Sequence, residues 1–134
     1  MDFLALLTRD LYGEITVGVK NIDQAIYWYT ANLGLVEGDS SPNEATLGYA
    51  GGKGRSVIPL VLLVHVPVGS TEAAVKRHPI LFTRKLEKAR QNLLAKGISV
   101  GPIHQDSGGN RFFQFTDLEG NLIEVCLEPG KKLR

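Results

Sequence analysis

The sequence predicts an α+β domain of two tandem β-α-β-β-β modules, each a curled mixed sheet around a shared cleft. Three observations carry that prediction. The run from Glu14 to Lys20 alternates strictly, with Ile15, Val17 and Val19 on one face and Glu14, Thr16, Gly18 and Lys20 on the other, as a half-buried strand does. A capped amphipathic helix follows at once. The same order of elements then recurs in the second half: NIDQAIYWYTANLGL lies on KLEKARQNLLAKGI after one deletion, setting Asn21 on Lys85, Ala25 on Ala89 and Gly34 on Gly97.

In chain order, Asn21 opens the first helix and Gln24, three residues on, completes a capping box. Ile22, Ala25, Ile26, Tyr29 and Leu33 follow the helical i, i+3, i+4, i+7 spacing, and Gly34 supplies the left-handed stop. EGDSSPNE reads as a polar turn, and strands are expected around ATLGYA and VIPLVLLVHV, joined by GGKGRS. The second half reads as a strand (HPILFT), a helix with Leu86, Ala89 and Leu93 inward and Gly97 at its end, and strands at ISVGPI, RFFQFT and NLIEVCLE. The last two are joined by the tight turn DLEG. The modules are bounded at about 12–68 and 78–129, with a connection at 69–77, in a single domain spanning 1–134.

Composition narrows the function classes. Fifteen basic against fourteen acidic residues give a net charge of +1, so the chain lacks the basic stripe of a nucleic-acid binder. It also has no polybasic or strongly amphipathic segment for a membrane surface. The longest apolar run, VIPLVLLVHVPV, is interrupted by prolines and a histidine, and the opening FLALL is too short and lacks the basic start of a secretory signal. A cytoplasmic protein acting on a small molecule is expected. The lone Cys126 excludes an internal disulfide and a Cys-based zinc finger.

Glu14 stands nine residues before Asp23, and His78 stands nine before Glu87, the repeat partner of Asp23. Both therefore begin the first strand of a module, on the face opposite the helix-packing residues. In NLIEVC, Leu122, Glu124 and Cys126 share one face, and pairing across the DLEG turn sets Gln114 opposite Glu124. Phe112 and Thr116 share the face of Gln114, and Thr16 that of Glu14. If the sheets face each other, Glu14, His78 and Glu124 converge. One imidazole and two carboxylates suit Zn, Ni, Mn or Fe, with positions left open for substrate oxygens. Gln114, Phe112 and Thr16 are then candidates for touching the substrate.

Two segments carry a family resemblance: VKNIDQAIYWYTANLGL, and GGNRFFQFTDLEGNLIEVC with its aromatic strand, D-x-x-G-N turn and I-E-V strand. Both resemble the vicinal oxygen chelate superfamily, which includes glyoxalase I, bleomycin-resistance proteins and extradiol dioxygenases, over about Tyr12 to Glu128. The resemblance implies metal ligands at Glu14, His78 and Glu124, with Glu14 and Glu124 as catalytic carboxylates, and a homodimer. It implies either a metal-dependent lyase or isomerase that chelates a small oxygen-rich molecule, or a metal-free protein that sequesters one. For the second, Tyr49, Phe82 and Phe112 are candidates for an aromatic groove. Glu14 stands where the family more often has His or Gln, and the fourth ligand position falls near the apolar Leu62. GGKGRS lacks the context of a phosphate loop, and His104 reads as a loop residue.

Overall fold

A computed structural model describes residues 2–8, 14–54, 56–67 and 79–128. The expected ligand His78 and the connection at 69–77 lie outside these. The described elements run α1 (Phe3–Leu6), β1 (Ile15–Val19), α2 (Ile22–Leu33), β2 (Val36–Ser40), β3 (Glu44–Tyr49), β4 (Ile58–His65), β5 (Ile80–Thr83), α3 (Leu86–Ala95), β6 (His104–Gln105), β7 (Arg111–Thr116) and β8 (Leu122–Leu127). They form two four-stranded sheets of the same plan, β1-β4-β3-β2 and β5-β8-β7-β6. In each, the first strand of the module pairs parallel with its last, and the other pairs are antiparallel. The α+β architecture of two tandem modules is the one expected.

The helices lie where periodicity puts them. Asn21 caps α2, its side-chain oxygen accepting from the Gln24 N–H, and Gly34 ends it at φ 78°. Ile22, Ala25, Tyr29 and Leu33 are buried, as are Leu86, Ala89 and Leu93 of α3. They pack on Val17 and Val19, Val61 and Leu63, Phe113 and Phe115, and Ile123 and Val125, so both helix-bearing sheet faces belong to one core. The short α1 joins this core: Phe3 is fully buried and meets the Phe115 ring edge-on at 5.9 Å. α1 touches both α2 and α3, and the Lys96 ammonium donates to the Asn32 carbonyl, tying together the ends of the two longer helices.

Three local expectations are corrected. The polar stretch after α2 contains an edge strand, β2, exposed along most of its length and irregular between Glu37 and Ser40; with neither face buried it carries no alternation. ISVGPI is not a strand but a single bridge at Val100 to Phe115. Gly101 and Pro102 follow, proline offers no N–H to a ladder, and regular pairing resumes only at His104. His104 is thus a strand residue. At the β3–β4 pair the register shifts between Leu47 and Gly48, where a Cβ on Gly48 would collide with the Ile58 carbonyl, so only glycine fits.

The modules are clamped through the DLEGN turn. Asp117, buried, accepts from the backbone N–H groups of Glu119 and Asn121, from the Asn121 amide and, at 2.6 Å, from the Tyr29 hydroxyl of α2. Asn121 also donates to the Gly18 carbonyl of β1, and Glu119 accepts from the Lys20 and Asn21 N–H groups. In a capping box Gln24 would reach back to the Asn21 N–H; here a carboxylate from the other module takes it.

Candidate functional site

Register builds the site. Along β7 and β8, Phe113, Phe115, Ile123 and Val125 point into the core, so Phe112, Gln114, Thr116, Leu122, Glu124 and Cys126 stand on the face free of helices. Gln114 is directly opposite Glu124, as pairing across the turn predicts, and Ile80 of β5 flanks Glu124 on its other side. Two residues further along, on the same face, His104, Phe112, Cys126 and Phe82 form a row across all four strands. The His104 and Phe112 rings are 5.6 Å apart and tilted by 37°. Glu124, Gln114, Phe112, Phe82 and Cys126 are all half-buried, whereas Ile80 and Leu122 beside Glu124 are 37% and 39% exposed. The outcome is a carboxylate and an amide side by side, with Ile80 and Leu122 as apolar neighbours among the described residues. The Cys126 thiol is pushed above its ordinary pKa, first by burial and then by the negative charges of Glu124 and Asp106, so it stays neutral around pH 7.

The first sheet presents the corresponding face. Thr16 pairs with Leu62 and Leu62 with Thr46. Thr16 meets Leu62 across a parallel pair as Ile80 meets Glu124, so Leu62 holds in the first sheet the place of Glu124 in the second. Glu14 precedes β1 and is exposed, as is Thr16. His65, the other ligand type nearby, ends β4 and is also exposed.

Of the expected ligands, then, Glu124 lies on the open face of one sheet, Glu14 at the start of the other, and His78 outside the described residues. Among the described residues no three His, Cys, Asp or Glu side chains come together to hold an ion. Tyr49, expected in a groove, is buried and counts with the core. The residue whose place sequence reading missed is His104. The signal for it is DSGGN at Asp106–Asn110, a second D-x-x-G-N turn that folds β6 back on β7 and sets His104 opposite Phe112.

Two sheets of identical order, each parallel at its closing pair and bearing its helix on one face only, define a two-module fold with one helix-free face on each sheet. Residues 12–125 match the model of the Glyoxalase/Bleomycin resistance protein/Dioxygenase superfamily, and the chain belongs to that superfamily. No curated protein matches it. Among solved structures it is similar to an integron cassette protein from the mobile metagenome of Halifax Harbour sewage outfall, with 24% identity, a TM-score of 0.65 and coverage of 88% of this chain and 100% of that one. It is also similar to lactoylglutathione lyase from Agrobacterium tumefaciens, with 15% identity, a TM-score of 0.65 and coverage of 90% and 96%. A third is a mutant of the fosfomycin resistance protein FosX from Listeria monocytogenes, in complex with Mn(II) and dihydroxypropylphosphonic acid, with 17% identity, a TM-score of 0.57 and coverage of 89% and 90%. At these identities the likeness is one of fold.

Proposed function

We propose that the chain is an enzyme of the lyase or isomerase kind, acting on a small oxygen-rich molecule held at the helix-free face of the second sheet. The observation that carries this reading is the Gln114–Glu124–Ile80 row, a half-buried carboxylate between an amide and an apolar side chain. Carboxylates such as Glu124 and Glu14 are donors that Mn, Fe, Zn or Ni accepts, and His78 is the third donor in this reading. The described residues alone do not complete the set. When bound, such an ion supplies Lewis acidity to neighbouring substrate oxygens. The chain's own groups do the rest. The Gln114 amide orients an oxygen, Phe112 and Thr16 bound the substrate, and a carboxylate oxygen of Glu14 or Glu124 takes the proton removed from carbon. Among the described residues, the contacts between modules run through the helix side and the DLEGN clamp. In this reading, therefore, the sheet that covers Glu124 comes from a second copy, and the working unit is a homodimer.

The test is titration of Zn, Ni, Mn and Fe into the wild type and Glu124→Gln, with calorimetric detection. The wild type should bind at least one of them, and the variant should bind it at least about tenfold more weakly, since it keeps the shape and loses the charge. A wild type that takes up none of the four overturns the enzyme reading. The second reading, a metal-free protein that sequesters a small molecule, would then stand. Its support is the ring-bearing row of His104, Phe112 and Phe82 beside Glu124.

A further inference from the structure

We propose that the molecule bound at this face carries an aromatic ring on its oxygen-bearing carbon, and that the row His104–Phe112–Cys126–Phe82 is the shelf on which the ring lies. The inference rests on the reading that the helix-free face of the second sheet is the ligand face, and it adds the substrate class.

Four side chains in register across four strands make the shelf. Adjacent strands are spaced roughly 4.8 Å apart, so the row extends about 14 Å, enough for one ring with room for substituents. The next row, Gln114–Glu124–Ile80, stands roughly 6.8 Å away along the strands, a span bridged by a ring and the oxygen-bearing carbon attached to it. The shelf is apolar in its middle, where Phe112, Cys126 and Phe82 are half-buried. At its outer end, the tilted pair of His104 and Phe112 already uses one ring to support another. Ile80 and Leu122, both substantially exposed, continue the apolar surface past Glu124. In the cleft between this face and the sheet that covers it, a ligand with two oxygens and nothing apolar would leave the Phe112–Cys126–Phe82 stretch of the row without an apolar partner.

Cys126, the chain's lone cysteine, sits mid-shelf and reports occupancy. The experiment follows its alkylation by iodoacetamide in the intact protein, with propylene glycol or phenylethylene glycol added. These are two neutral vicinal diols that differ in carrying a methyl or a phenyl group. The phenyl diol should halve the alkylation rate at a concentration at least about tenfold lower, as expected when a ring replaces a methyl against an apolar surface. Phe112→Ala and the gentler Phe112→Leu should shrink that preference, with melts confirming that both fold. Equal protection by the two diols, no protection by either, a preference unchanged in both variants, or a Cys126 that does not react at all would each overturn the proposal. Running the series with and without Mn separates the two readings. A ring preference without metal binding sinks the metal and keeps the shelf, and metal binding without a ring preference does the reverse.

Discussion

Tyr29→Phe removes one oxygen atom from the middle of the molecule, and the structure says what that atom does. Tyr29 is fully buried, and its hydroxyl donates at 2.6 Å to Asp117, the residue that organises the DLEGN turn. A hydrogen bond to a charged group contributes about 2 kcal/mol, and here its loss also strips a buried carboxylate of one of its donors. The three donors that remain, the N–H groups of Glu119 and Asn121 and the Asn121 amide, hold the turn together but not to α2. A loss of about 2 kcal/mol in a chain of this length lowers the thermal midpoint by roughly 6–10 °C. Circular-dichroism melts of the wild type and variant at neutral pH measure it.

The same pair makes a pH signature. The phenol of Tyr29 is held far above its ordinary range, first by burial and then by the charge of Asp117 and the hydrogen bond to it. A group whose pKa is raised on folding stabilises fully below its unfolded value, about 10 for tyrosine, and loses that contribution as pH rises beyond it. The advantage of the wild type over Tyr29→Phe should therefore be constant from neutral pH to about 9 and narrow above about 10. A variant that melts within a degree or so of the wild type, or a gap that widens in alkali, would refute the clamp.

Two other outcomes follow from the packing and the electrostatics of the open face. Leu33→Ala should cost about 2–5 kcal/mol in chemical denaturation, because Leu33 is 2% exposed in the α2 face that packs on the first sheet within the common core. The pH midpoint for alkylation of Cys126 should lie above that of an ordinary thiol, since burial, Glu124 and Asp106 all disfavour the thiolate. Glu124→Gln should move the midpoint downward, toward the ordinary value, by deleting one of those charges.

Much of the fold was legible because its signals are local. The alternation of Ile15, Val17 and Val19, the Asn21 cap, the Gly34 stop and the Leu86, Ala89 and Leu93 stripe each appear where the sequence predicts them. The elements that escaped lack a local signal. FLAL in α1 is a single turn, too short to show a period, and it is helical because its residues fill the gap between α2 and α3. VEGDS in β2, largely exposed and with Val36 as its one large apolar side chain, takes its conformation from β3. The site was legible within a sheet, where Gln114 opposite Glu124 follows from counting back from the turn. How the modules meet was not legible, because it depends on the long-range hydrogen bonds of Tyr29, Glu119 and Asn121.

The paired D-x-x-G-N turns give the second module a kinetic character the first lacks. Asp106 and Asp117 each fold their own loop in the same way, accepting from the N–H two and four residues on, while the glycine at the fourth position adopts a positive φ. Both closures span five residues, so β6, β7 and β8 can assemble as a meander at little loop-entropy cost. The first module's meander, β2-β3-β4, carries a register shift in each of its pairs and a longer connection between Tyr49 and Ile58. The parallel pair of either module, Ile15 with Val61 or Ile80 with Glu124, must wait for the chain between to collapse. Folding should thus begin in the sheet that carries Glu124. Alanine at Asp106 should slow refolding more than it speeds unfolding, and a change confined to the unfolding rate would place the nucleus elsewhere.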